Sequence, residues 1–191
     1  QELWISNVPF MDSLSYSFLA YVAYTMGLFM WSPLKINRWD IRLVESSRVR
    51  RSLRVVFSGA IFFMLMDVII DPVAFQGERW FLGKIYTYKE QGEYFNIPLT
   101  NFFGWLFVGT VILYSFTRLD KYLDRTAPYK KQELPAQALL GPTLYFGVLL
   151  FNLAVTFYIG EWPLGFCGVA LTMMLFWLLY QKIKNPEKFS L

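Results

Sequence analysis

Five stretches of the chain stay apolar for long enough to cross a bilayer: residues 14–31, 53–71, 100–116, 136–159 and 163–180. A spanning helix needs about 20 predominantly apolar residues. None of these runs shows the two-residue alternation of a barrel strand, and a helix satisfies its own backbone hydrogen bonds in lipid. The pattern predicts an all-α, polytopic integral membrane bundle of about five transmembrane helices, with residues 1–191 forming a single transmembrane domain. A 28-residue segment, 72–99, separates the second and third spans and is long for a connection.

Charge orients the bundle. Of the 18 Lys and Arg, 7 fall in residues 33–54, 3 in 72–99, 5 in 118–135 and 3 after Tyr180. Alternate connections therefore carry 15 and 3, the asymmetry that places basic loops on the cytoplasmic side. The expected location is a bacterial or archaeal cytoplasmic membrane with the C-terminus cytoplasmic and segment 72–99 outside. The net charge of +4 is explained this way, and no nucleic-acid partner is expected. Because the chain starts at Gln1 rather than Met, we expect the amino end to be processed or truncated, with one or more helices before it.

Composition narrows the chemistry. Hydrophobic residues make up 55% of the chain and charged residues 17%, and a soluble domain typically carries more charge. There is no histidine and only one cysteine, Cys167, so Ser–His catalysis, thiolate metal sites and a disulfide framework are out. Acid–base work falls to carboxylates, tyrosines or lysines.

The unusual polar residues collect in one outer layer. Asp67 lies about 14 residues, or roughly 21 Å, into the second span. Asn152 falls at a similar depth, Asn101 and Trp105 open the third span, and Asp12 leads into the first. Asp67 and Asp71, in Met-Asp-Val-Ile-Ile-Asp-Pro, stand four apart on one helix face. Pro72 is expected to end the helix and leave Asp71 at the interface. An ionisable group inside a span is costly and usually faces a cavity. A plainer reading keeps Asp71 interfacial and has Asp67 bond a neighbouring helix.

Segment 72–99 carries Trp80, Phe81, Tyr86, Tyr88, Tyr94 and Phe95. Singly, each reads as an interfacial anchor. Together, beside two carboxylates, they read as a lid over an apolar ligand. Gly104 and Gly109 are expected to allow close helix packing.

These residues also carry a resemblance. Met66-Asp67-Val-Ile-Ile-Asp71-Pro72, Gly77, Trp80, Gly92-Glu-Tyr94-Phe-Asn-Ile-Pro98 and Asn101-Phe-Phe-Gly104-Trp105 form an ordered succession over about 40 residues. It resembles the membrane carotenoid 1,2-hydratases of the CruF type, the family that includes bisanhydrobacterioruberin hydratase. Residues 78–91 depart from the family pattern, which has a second Trp shortly after the position of Trp80.

The resemblance implies a carotenoid biosynthesis enzyme, a hydro-lyase that adds water to the terminal isopropylidene double bond of an acyclic carotenoid. No cofactor and no metal are implied. Asp67 and Asp71 would be the catalytic pair, sharing one proton. Trp80, Tyr94, Asn101 and Trp105 would contact substrate, the rings by facing a cation and Asn101 by holding water or the new hydroxyl. The partners expected are the carotenoid, the bilayer and either a membrane complex or further copies of the chain.

Two other readings stand beside it. A membrane prenyltransferase would use Asp67/Asp71 with a second pair, Asp120/Asp124, to hold Mg²⁺ around a diphosphate. The alternation of Asp120 and Asp124 with Arg118, Lys121 and Arg125 instead suggests a solvated, salt-bridged turn. A non-catalytic subunit binding a carotenoid or lipid would show the same aromatic richness.

Overall fold

Serine caps mark where the second span begins. Ser46 Oγ accepts from the Val49 amide and starts the short helix α2, Ser47–Arg50; Ser52 Oγ accepts from Val55 and starts α3, Leu53–Ala74. Ahead of them lie a two-rung hairpin, β1 (Trp4–Ile5) with β2 (Val8–Pro9), then α1 (Phe10–Trp31) and a second hairpin, β3 (Leu34–Asn37) with β4 (Asp40–Leu43). Beyond α3 come α4 (Leu99–Thr126), α5 (Gln137–Tyr158) and α6 (Trp162–Lys184). This computed structural model describes residues 4–5, 8–38, 40–44, 46–80, 83, 88, 92–126 and 135–189.

Among the described residues, four helices are long and apolar enough to cross a membrane: Leu53–Ala74, Leu99–Thr126, Gln137–Tyr158 and Trp162–Lys184. With the 22-residue α1 they make an all-α polytopic membrane bundle. The two hairpins are small additions that the hydropathy pattern does not announce.

α3 is the hub, packed against α1, α4 and α5, while α6 packs mainly on α5 and touches α3 at Leu164. Lipid tails are as apolar as leucine, so helices in a bilayer associate through close packing and hydrogen bonds. α1 meets α3 at Gly27, where a Cβ would stand 2.8 Å from Val55 O and 2.9 Å from Gly59 N. Trp31 Nε1 donates to Ser58 Oγ at 3.0 Å and Tyr145 Oη to Phe62 O at 2.8 Å, tying α1 and α5 to the same hub. Gly109 packs on Phe63 and Ala60 as expected of it, whereas a Cβ on Gly104 would meet nothing within 4 Å among the described residues.

Pro72 does not end the helix. α3 continues to Ala74, and Asp71 is helical and buried rather than interfacial. Proline forfeits only the bond to the carbonyl four residues back. The last turn is held by Phe75 N to Asp71 O at 2.8 Å and Gln76 N to Val73 O at 3.0 Å. Val73 and Ala74 pack into a cluster with Trp80 and Leu164.

The second acidic pair is also placed differently. Asp120 and Asp124 lie on α4, not in a turn, and their partners are Arg50 and Arg51 about 70 residues away in sequence. Arg50 reaches Asp124 Oδ2 at 2.9 Å and Arg51 reaches Asp120 Oδ2 at 2.7 Å, with Arg51 also on Asp124. The β3–β4 hairpin docks on α5 through Asp40, whose Oδ1 accepts from the Ala136 amide at 2.8 Å. That bond, then the Arg42 partner, holds the Asp40 carboxyl below its ordinary range.

Candidate functional site

The site is built from the fourth-residue spacing of α3 and the antiparallel run of α4 beside it. Asp67 and Asp71 point from one face of α3, 9% and 7% exposed, and their carboxyl groups are in hydrogen-bond contact. α4 brings Asn101 against them. Asn101 Nδ2 donates to Asp67 Oδ2 at 3.1 Å and to Asp71 Oδ2 at 2.5 Å. One amide nitrogen has two hydrogens, so a single side chain serves both acids.

One turn deeper the surroundings become aromatic. Trp105 follows Asn101 by four residues on α4, as Phe63 precedes Asp67 by four on α3. The two rings meet edge to face, centroids 5.4 Å apart, and the Tyr16 ring of α1 lies 5.0 Å from Trp105. Three helices thus contribute one ring each below the carboxyl pair.

The segment after α3 folds back over this end. Arg79 pairs with Glu161 Oε1 at 2.7 Å and also bonds Ile159 O, tying the 3-10 turn Gly77–Arg79 to the α5–α6 turn. Residues 92–97 form a tight reversal with bridges Gly92–Asn96 and Tyr94–Ile97. Only glycine fits at its base: a Cβ on Gly92 would come within 2.0 Å of Ile97 C. Glu93 then accepts from the Leu99 amide at 3.1 Å and caps α4. Its own backbone amide and that of Leu99 hold its carboxyl below the usual range.

The aromatic residues expected to contact substrate are distributed unevenly. Tyr94 meets Phe102, the residue after Asn101, edge to face with centroids 5.7 Å apart. Burial pushes its phenol up, with the Cys167 thiol adding to the effect. Trp80 packs on Val73, Ala74 and Leu164. Val73 is about 200° around α3 from Asp71, so Trp80 sits on another flank of that helix. Phe81 and Tyr86 lie outside the described residues, as do Lys84, Lys89, Glu90 and the side chain of Asp12.

Tyr16 and Phe63 join the site without having been singled out from the sequence as its members, and Tyr88 joins it from the aromatic segment after α3. Tyr88 lies 5.6 Å from the Phe75 ring just past α3. Burial pushes its phenol up to about 12, and the carboxyls of Asp71 and Asp67 and the Tyr16 hydroxyl add to this. Asn152, at the depth of the acids, donates to Val148 O of its own helix at 3.0 Å.

Chemically, the cluster offers two touching carboxyls, one amide that serves both, and an apolar aromatic floor. Among the described residues no third Asp, Glu, Cys or His joins them to make a metal cluster. No curated protein and no solved structure is similar enough to this chain to count as a match. A protein-family profile described as carotenoid biosynthesis protein does match, over residues 3–176, a span that takes in α1 through most of α6 and with them the carboxyl pair and Asn101. The chain belongs to the carotenoid biosynthesis protein family.

Proposed function

We propose that this chain is a carotenoid hydratase, adding water across the terminal isopropylidene double bond of an acyclic carotenoid. The observation that carries the reading is the buried contact between Asp67 and Asp71, bridged by Asn101. Two carboxyls so close, and so far from water, hold one proton between them. The shorter bond from Asn101 supports a reading in which Asp71 is the carboxylate and Asp67 the acid.

The reaction then balances without an added group. Asp67 gives its proton to the CH carbon of the alkene, and the positive charge forms on the carbon bearing two methyls. Water attacks that carbon, and a carboxylate takes the proton the oxonium releases. The pair ends with the one proton it began with, and one water is consumed. The Trp105 ring, in contact with Phe63 and Tyr16, would face the cation with its negative quadrupole, an effect of about 0.5–2 kcal/mol. The same apolar floor suits a polyene end and keeps bulk water from the cation.

The prenyltransferase reading fares worse on geometry. Asn101, against Asp71, and Asp120 are on one continuous helix, 19 positions apart, roughly 28 Å. The two acidic pairs are too far apart to share one diphosphate. Asp120 and Asp124 are moreover committed to Arg50 and Arg51.

The deciding experiment is pigment analysis of an acyclic-carotenoid-producing host with and without this chain. Hydration predicts product heavier by one water per reacted end, with the polyene chromophore unchanged. Unchanged pigment bound to the purified protein would favour the binding subunit instead.

A further inference from the structure

At the end of the bundle away from the carboxyl pair, a cavity of about 530 Å³ opens between α2, the start of α3 and the last turns of α4. Arg48, Arg51, Arg118 and Lys121 line it, with the hydroxyls of Ser47 and Tyr114. No carboxylate is among its described lining residues. Cations crowded around one space repel each other unless something anionic lies between them.

The nearby acids do not supply it. Asp120 and Asp124 are engaged by Arg50 and Arg51, two charges against two. Arg48 and Lys121 are exposed and have no acidic partner among the described residues. Arg118 is likewise without one; its guanidinium lies over the Tyr114 ring at 4.7 Å and donates to that phenol. Three cations therefore face the cavity uncompensated.

The remaining wall says what kind of anion fits. Leu53 lines the cavity and is 60% exposed; Phe57 and Ile61 follow it up α3 at four-residue spacing, 54% and 44% exposed. The cavity thus lies where the apolar run of α3 begins, with a continuous apolar track rising from it into the membrane. A free anion has no use for such a track, whereas a lipid uses both parts. Basic pockets between helices at this level are suited to anionic headgroups.

We propose that this cavity binds the phosphate headgroup of an anionic phospholipid from the adjoining leaflet, with an acyl chain lying along Leu53, Phe57 and Ile61. Arg48, Arg118 and Lys121 hold the phosphate, and the Arg51–Asp120–Asp124 network keeps the cavity's back wall rigid.

The test uses the full chain in neutral detergent, with lipid adducts counted by native mass spectrometry. Phosphatidylglycerol is titrated, in parallel with phosphatidylcholine of the same chains and with inorganic phosphate. The expected result is one saturable phosphatidylglycerol site that phosphatidylcholine does not fill and millimolar phosphate does not clear. The triple variant R48Q/R118Q/K121Q should weaken it by roughly fivefold for each charge removed. A control, K35Q/R125Q/K184Q, removes equal charge from the same end of the bundle and should change it by about twofold or less. Matching helical circular dichroism of the lipid-free variants excludes a folding defect, and K121Q alone decides if the triple variant is not recovered. Equal loss in the control would overturn the site in favour of diffuse attraction. Equal binding of phosphatidylcholine would overturn the charge argument, and full competition by phosphate would overturn the lipid as occupant.

Discussion

Asn101 Nδ2 lies 2.5 Å from Asp71 Oδ2 and 3.1 Å from Asp67 Oδ2, one amide on α4 reaching both acids of α3. A carboxyl and an amide on different helices, both away from water, constrain each other strongly, because an unpaired buried carboxylate costs several kcal/mol. That contact fixes the spacing of α3 and α4 at this end and gives the pair its asymmetry.

Asn101→Leu removes both donors while keeping the volume. Hydration is expected to fall by about tenfold to a hundredfold, since one hydrogen-bonding group in an acid–base site commonly carries that much. Asn101→Asp should be worse, because it adds a third acid to the pair. Product formation in isolated membranes measures both, and an unchanged rate in Asn101→Leu would remove Asn101 from the mechanism.

Tyr88 reports the state of the pair from outside the spans. Its phenol is pushed up to about 12 by burial first and then by Asp71 and Asp67. A phenol raised above its ordinary value of about 10 stabilises the fold fully below that pH, and the contribution is lost as the pH climbs toward 12. Asp71→Asn removes a carboxylate, so the Tyr88 value should drop. Carbon-13 labelled tyrosine spectra would show the shift, and a phenol indifferent to Asp71 would put it out of range of the pair.

What the sequence could and could not show follows from how far each signal reaches. The apolar runs announce the five helices because span length is a local property, and all five lie where those runs are. Asp67, Asp71 and Asn101 stand out because polar residues in apolar runs are costly. Tyr16 and Phe63 do not, since an aromatic in an aromatic-rich span carries no mark of what it faces. α3 runs past Pro72 because proline's local bias is outweighed by the tertiary packing of Val73 and Ala74. The cations nearest Asp120 and Asp124 in sequence are not their partners; Arg50 and Arg51 come from another connection. Pairing over that distance leaves no local trace.

Metal independence separates the hydratase from the prenyltransferase. Acid–base catalysis by a carboxyl pair should survive exhaustive EDTA treatment of membranes. Activity lost to EDTA and restored by Mg²⁺ would support a diphosphate mechanism despite the distance between the acidic pairs.

Topology is tested with cysteines in a Cys167→Ser background. By the charge asymmetry, Gln91→Cys should react with an impermeant thiol reagent applied to intact cells, and Ser47→Cys should react only after permeabilisation. The reverse pattern would invert the bundle and place the carboxyl pair near the cytoplasmic side.

The strongest prediction concerns the acids themselves. Asp67→Asn and Asp71→Asn preserve size and most hydrogen bonding while removing the transferable proton. Either change should abolish hydration, leave unhydrated carotenoid accumulating, and still yield protein inserted in the membrane. If Asp67 merely ties α3 to α4 through Asn101, the amide can take over that bond and the rate should hardly change. Asp120→Asn and Asp124→Asn are the controls: each weakens the half-buried pairing with Arg50 and Arg51, lowering stability by about 1 kcal/mol, yet leaves hydration near normal. Asp71→Asn should be less damaging than Asp67→Asn at low pH if Asp67 is the acid, since a lone Asp67 can still be protonated there. A folded Asp67→Asn that hydrates at the wild-type rate would end the proposed mechanism, because no other described carboxyl touches this site.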